Sequence, residues 1–432
     1  MTYFSYFNFD LSSLWSFLEL PPYLVMWNIF INGGWIIILI LLLWIIWHYW
    51  LFYIRKKYAA SVEYILLTVD VPKNNEQGPE AVERLFAQLG GARSSGSKID
   101  IYFRGYIQPS FSFELVSLDG YIRYFIHTPV QFRDIIEAAI YTAYPEAAIT
   151  EAEDYTTDIP DHFPDDEYDC WAGDLVLYNK DYYPIRTYPS FEHSLSKELK
   201  DPLGVLLELM GKLQPGEHLW TQLILTPISN EWKRHADSFI KKSLGIKVAV
   251  KNSALDNFFG FILKIFSGIG DIIFPTAATE AKEEKKELVN LSPGERKALE
   301  AAQDKASQVG FLVKLRAVYV AKKDVFSKNR GVVGFLGAIN QFNTLDLNGF
   351  KPDDRVKTSR PLLWGATRLA RKQTRLMRAY KTRNPRVGAR NFILNIEELA
   401  TLYHFPVSKV KAPLIQKTGS KRGEPPLHLP VA

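Results

Sequence analysis

Residues Trp35–Lys57 read WIIILILLLWIIWHYWLFYIRKK. Twenty uncharged, almost wholly apolar side chains are followed at once by three cations. A bilayer core needs about 20 apolar residues in a helix. Lipid offers the backbone no hydrogen-bond partners, so such a run forms one continuous helix. Asn28, Asn32, Gly33 and Gly34 weaken the turns before it, which puts the predicted transmembrane span at 33–54. Trp47, Tyr49, Trp50 and Tyr53 crowd its far end as an aromatic belt, and a cationic collar follows. Trp47, Trp50, Tyr53, Arg55, Lys56 and Lys57 are therefore the expected membrane-interface anchors, and His48 reads as interfacial beside them. The first 22 residues carry no Lys or Arg, so the positive-inside rule puts segment 1–32 outside and the body in the cytoplasm. The expectation is a single-pass protein of the cytoplasmic (inner) membrane, with membrane lipid as its first partner. A cleaved signal peptide would carry its charges before a shorter apolar run.

The 432-residue chain has room for this anchor and two domains of ordinary size. Its net charge of +5 says less than the distribution of that charge. Glu151–Asp174 holds ten acidic side chains and no Lys or Arg, whereas Arg355–Arg390 holds twelve basic ones and no acid. The one cysteine, Cys170, makes no internal disulfide, which suits a reducing compartment.

Beyond the collar the periodicity changes. Val62–Val71 is a β-branched strand run, and Pro79–Leu89 opens on Pro and sets Val82, Leu85, Phe86 and Leu89 on one helical face. Phe111–Leu118 and Tyr121–His127 flank Asp119-Gly120, a strong hairpin signal. Phe132–Tyr144 reads as a helix and Ala148–Ala152 as a strand. This β-α-β-β-α-β order is that of a split β-α-β, ferredoxin-like unit, and marks a first α+β domain at 58–155. Ile99–Ile107 reads as an extra strand. An acidic linker, 156–169, leads to a second α+β domain at 170–350. There Asp174–Tyr178, Leu219–Thr226 and Phe311–Ala321 read as strands, Asp201–Leu213 and Arg330–Phe342 as helices, and 231–308 as a long helical insertion. Within it Ala254–Phe274 is an apolar-faced stretch suited to a bilayer surface or a partner. A basic segment, 351–390, and a short helix with a Pro-rich tail, 391–432, complete the chain. The expected fold class is α+β: a transmembrane helix followed by two split β-α-β (ferredoxin-like) units.

The sequence lacks G-x-x-x-x-G-K-[ST], H-E-x-x-H, G-x-S-x-G and G-x-G-x-x-G, and its eight His show no ligand spacing. No catalytic, cofactor-binding or metal residue is assigned, and the expectation is a non-enzymatic protein without a cofactor. Thr367–Tyr380 (TRLARKQTRLMRAY) is the functional candidate of the body. On a helix, Leu369, Leu376 and Met377 would dock one edge. Arg368, Arg371, Lys372, Arg375 and Arg378 would then contact phosphates of nucleic acid or lipid. Alternatively, the acidic run at Glu151–Asp174 neutralises them in cis.

Asn391–Pro406 reads NFILNIEELATLYHFP and Arg422–Pro430 reads RGEPPLHLP. Asn395 and Glu398 are spaced as a helix N-cap and its capping-box partner. The wording resembles the segment before the ATPase core of HerA/FtsK-like translocases and type IV secretion coupling proteins. Val69–Leu89, Phe113–Ile126 and Ala138–Tyr155 resemble the membrane-anchored region of unknown function that accompanies such ATPases in candidate-phylum bacteria. The resemblance implies a companion to a separately encoded translocase ATPase, or the anchor half of a split coupling protein, the ATPase core being absent here. It carries over no functional residue, and Glu397, Glu398, Tyr403 and His404 are our own expectation for residues facing that partner. The expected function is a non-enzymatic membrane-anchored scaffold in a type IV secretion-like or DNA-translocation apparatus. Two alternatives stand beside it: a membrane-tethered nucleic-acid-binding protein acting through the basic segment, and an enzyme of an unrecognised class. Nucleic acid and further copies of the chain complete the expected partners.

Overall fold

The computed structural model describes residues 21–72, 75–94, 96–191, 201–244, 292–359 and 365–407. The chain divides into two compact units, one of Met1–Glu63 with Ser95–Ile107, the other of Tyr64–Ser94 with Gln108–Ala432.

In the first unit a helix at Pro22–Ile29 passes through a π-turn, Phe30–Gly34, into the long helix Trp35–Ser61. Gly33 takes φ +108 in that turn, a conformation open to glycine. The long helix has 27 residues, about 40 Å at 1.5 Å per residue. Its part Ile38–Ser61 is long and apolar enough to cross a membrane, and almost none of it is buried by the rest of the protein. It runs past Ile54, where the sequence had placed the end of the span. Arg, Lys and Ala are good helix formers, so the cationic collar becomes the helix's last turns. The strand expected at Ile99–Ile107 is absent from the sheet. Ser97 and Asp100 form a capping box that starts a short helix, Lys98–Tyr102, instead, and Gly105 at φ +74 breaks any extended run.

The second unit is mixed α/β and is built, among the described residues, on one nine-stranded sheet whose neighbouring strands all pair antiparallel. Its strands are β1 (Tyr64–Asp70), β2 (Phe111–Leu118), β3 (Tyr121–Pro129), β4 (Ala148–Glu151), β5 (Tyr168–Leu177), β6 (Glu217–Pro227), β7 (Gly310–Lys322), β8 (Phe350–Pro352) and β9 (Phe392–Asn395). They stand in the order β4-β1-β3-β2-β6-β7-β5-β8, with β9 beside β7. The first four strands are thus ordered fourth-first-third-second, and β8-β5-β7-β6 repeats that order. The halves join through β2 and β6, from Phe111 opposite Leu225 to Leu118 opposite His218. Asp119 at φ 55 and Gly120 at φ 84 make the tight turn of the β2-β3 hairpin.

One face of the sheet carries the main core. Val82, Leu85, Phe86 and Leu89 of Pro79–Gly90 lie on it with Ile136, Ala139 and Ile140 of Arg133–Ala143. Leu206, Leu207 and Met210 of Gly204–Gly211 and Phe335 of Gly334–Asn340 extend it under the second half. The helix expected from Arg330 begins as a π-turn, Asn329–Val333. There a Cβ on Gly331 would come within 2.3 Å of the Tyr319 ring. Helices Glu231–Ser243 and Pro293–Ser307 bound the expected insertion and pack on each other; Ala254–Phe274, like Arg422–Pro430, lies outside the described residues.

The other face holds a second core of Val116, Phe125, Trp220, Val318 and Cys170, closed by Leu376, Met377 and Tyr380. Those three come from the basic helix, Gly365–Lys381, and burying each contributes about 1.5–3 kcal/mol. Ile159 and Phe163 join the same core, and β5 begins at Tyr168. The acidic stretch 156–169 thus tethers itself to this core through two apolar side chains, while its acidic residues stay mostly exposed.

Candidate functional site: an arginine face above a buried charge row

Strand side chains alternate between faces, so the charges inside β2 (FSFELVSL) and β7 (GFLVKLRAVYVAK) share the second face. Register lines them up: Glu114 is opposite Gln222, Gln222 opposite Arg316, and Arg316 opposite Asp174. All four are fully buried. A buried charge without a partner costs several kcal/mol, so the row needs compensation, and the chain just after the basic helix supplies it.

Arg383, at φ 47, reaches Glu114 at 3.1 and 3.3 Å and also pairs with Asp154. Glu114 accepts further from Ser112 at 2.7 Å, Gln222 at 2.9 Å and the Tyr155 hydroxyl at 2.8 Å. Burial alone would raise the Glu114 carboxyl; the Arg383 charge and the hydrogen bonds outweigh it and hold the group below its ordinary value. At the far end of the row Arg316 donates to Asp174 at 2.7 and 3.3 Å and to the Val387 carbonyl at 2.6 Å. Ala389 N–H completes Asp174 at 2.8 Å. Lys314 lies 3.6 Å from Asp174 and donates to the Ala389 carbonyl; burial lowers its ammonium against the pull of Asp174.

His127 on β3 stacks on Tyr64 at 4.7 Å. Burial, then the Arg383 charge, lowers its pKa from 6.5 to about 4. The unfolded chain therefore binds the extra proton between those values and the folded chain does not. Stability falls as pH drops from 6.5 to 4, by up to about 3 kcal/mol from this group. His127→Phe, which keeps a ring against Tyr64, is expected to remove that slope, read as the variant-minus-wild-type unfolding free energy at pH 7 and pH 5.

The basic helix presents its cations outward. Gln373, Leu376, Met377 and Tyr380 face the sheet, which leaves Arg368, Arg371, Arg375 and Arg378 exposed at spacings of three and four residues along one outer stripe. Arg378 pairs with Asp161 at 3.0 Å, and Lys372 donates to the Lys357 carbonyl at 3.3 Å. Arg368, Arg371 and Arg375 have no ion pair among the described residues. Neutralisation in cis thus accounts for Arg378 and Arg383 but leaves three arginines. Of these, Arg371 and Arg375 line an open groove of about 680 Å³ with Arg378, between His162–Pro164 and Asn384 with Val387. Half-exposed cations around such a groove suit phosphate oxygens.

The residues read as partner-facing at the C-terminal end are turned inward. Glu398 is fully buried, paired with Lys305 at 2.9 Å and accepting Ile185 N–H at 2.9 Å. It also closes the capping box with Asn395. Tyr403 packs edge-on against Phe113 at 5.1 Å. His404 lies between the Ala400 carbonyl at 2.8 Å and Asp201 at 2.9 Å. These correct the sequence expectation: a short helix at the end of β9 must bury its polar side chains with partners of its own. Glu397 alone of the four is partly exposed, accepting from Gln308 at 3.1 Å. Of the interface anchors, Tyr53, Lys56 and Lys57 are exposed and Arg55 is half-buried. Trp50 donates to the Tyr102 carbonyl at 3.2 Å. Among the described residues no cluster of three or more His, Cys, Asp or Glu could hold a metal ion.

The fold and these sites define a class: an antiparallel-sheet α/β protein carrying, among the described residues, one helix of membrane-crossing length and composition. A family model described as Domain of unknown function (DUF8128) matches residues 63–418, so the chain belongs to that family. No curated protein matches it.

Proposed function

We propose that this protein is a non-enzymatic scaffold, anchored in the cytoplasmic membrane by Trp35–Ser61, that holds its body beside a translocase-type ATPase. The observation that carries the anchoring is a helix apolar on every side up to Ile54, with Arg55, Lys56 and Lys57 in its last turns. Such a helix has no folded partner to bury it, and its collar favours a cytoplasmic body and an outer N-terminus. The strand orders fourth-first-third-second and their repeat support two split β-α-β (ferredoxin-like) units fused through β2 and β6. The buried charge row favours rigidity over chemistry, since every charge in it is covered. The ATPase partner, and with it a type IV secretion-like or DNA-translocation apparatus, rests on the sequence resemblance. Capture of the intact protein from its own membranes tests the reading. A HerA/FtsK-type ATPase is expected among the retained proteins, and its absence from repeated captures would sink the proposal.

The three arginines without an ion pair among the described residues favour a second role within this reading, contact with phosphates of nucleic acid. The triple variant Arg368→Ser, Arg371→Ser, Arg375→Ser is expected to bind duplex DNA at least about tenfold more weakly. It should also flatten the slope of log affinity against log salt by about 2–3. An unchanged slope would remove this role and leave the anchor intact.

A further inference from the structure

The segment Gly96–Tyr106 belongs to the compact unit of the long helix, not to that of the sheet. Its contacts with that helix descend in order. Tyr106 meets Tyr58 at 5.4 Å between ring centroids. At Gly105 the backbones touch, for a Cβ there would lie 2.4 Å from the Ile54 carbonyl oxygen and 2.8 Å from Arg55 N. The Tyr102 carbonyl takes the Trp50 indole N–H, and its ring lies 5.9 Å from that of Trp47. From Arg55 down to Trp47 is about 12 Å of helix. The segment therefore starts at the cationic collar and dips along the helix to the level of the aromatic belt.

At its tip the short helix Lys98–Tyr102 and the residue after it are amphipathic. Ile99, Tyr102 and Phe103 fall at i, i+3 and i+4 on one side. Ile99 and Phe103 are 63% and 64% exposed. Asp100 and Arg104 lie on another side and pair at 3.0 Å, and Lys98 flanks them. Two large apolar side chains held in the open beside a belt of Trp are costly in water and suited to the boundary between headgroups and acyl chains. Lys98 and Arg104 can reach headgroup phosphates from that depth.

We propose that Gly96–Tyr106 is a second membrane-contacting element, an interfacial wedge that inserts Ile99, Tyr102 and Phe103 into the same leaflet as the collar of the long helix. This rests on the anchoring reading above, and its occupant is lipid: the apolar tip is continuous with the exposed surface of the candidate span. The wedge would fix the depth and rotation of the helix, which a smooth apolar cylinder leaves free.

The test uses the full chain in vesicles, in a Cys170→Ala background, with a fluorophore on single cysteines at Phe103→Cys, Leu42→Cys and Leu345→Cys. Leu42 is mid-span and Leu345 is fully exposed on the sheet unit. Lipids brominated near the headgroup should quench the label at position 103, lipids brominated near the chain end the label at 42, and aqueous iodide only the label at 345. Iodide quenching at 103 with lipid quenching kept at 42 overturns the wedge and spares the anchor. Shielding of 103 from both quenchers means that protein covers it, which also overturns the wedge. Iodide quenching at 42 sinks the anchoring reading and the wedge together.

Discussion

Replacing Arg383 with methionine is expected to destabilise the body by about 3–5 kcal/mol, because it strands Glu114 in a fully buried site. Among the described residues Arg383 is the one cation that pairs with that carboxylate, its other partners being Ser112, Gln222 and Tyr155. The pH dependence should reverse as well. In the wild type Glu114 titrates below its ordinary 4.5. The unfolded chain then binds more protons just below that value, so the contribution is present above pH 4.5 and lost on acidification. Without Arg383, burial is left to raise the carboxyl, and the variant is most stable when Glu114 is protonated. The deficit of Arg383→Met should therefore shrink as pH falls from 7 to 4. The double variant Glu114→Met, Arg383→Met should recover much of the loss, since an apolar pair of similar volume replaces a buried ion pair at little cost. Denaturant titration of the detergent-solubilised full chain, followed by tryptophan fluorescence, measures all three; a pH-independent deficit would refute the assignment.

Gly388→Ala is expected to cost about 3–5 kcal/mol for a different reason, left-handed backbone combined with a displaced buried ion pair. Gly388 takes φ +100, and a Cβ there would lie 1.9 Å from Asp174 Oδ2 and 3.1 Å from Arg316 Nη2. Asp174 cannot retreat without giving up Arg316 or the Ala389 N–H. The control is Gly337→Ala, in a helix where an added Cβ meets nothing within 4 Å. That change should stabilise by about 0.5–1 kcal/mol. Equal midpoints for the two alanine variants in the same titration would show that the loop is not pinned as described.

Local signals with a single physical reading were legible in the sequence. Val82, Leu85, Phe86 and Leu89 share a helix face, and Asp119-Gly120 makes a hairpin turn, because period and turn chemistry act over a few residues. Ile99–Ile107 misled: apolar residues in a short run fit strand or helix equally, and the Ser97–Asp100 capping box decided for helix. The charge row was written as Glu114 amid the apolar residues of β2 and as Lys314 and Arg316 at alternate positions of β7, a sign of a polar face that something must cover. What covers it, Arg383 and Gly388 some 270 residues from Glu114, is a long-range pairing with no local mark. His404 and Glu398 read as facing a partner because nothing local marks them as buried; their burial depends on Asp201 and Lys305, which only the fold brings near.

The outermost strands of the sheet, β4 and β8, are four and three residues long, whereas β6 and β7 at its middle run to eleven and thirteen. A molecule confined to a surface meets its own kind far more often than one free in solution. Long bare rims would let neighbours zip together main chain to main chain into ribbons. Stunted rims offer too few amides for that, so if the long helix anchors the chain as proposed, crowding along the bilayer brings copies side by side without welding them.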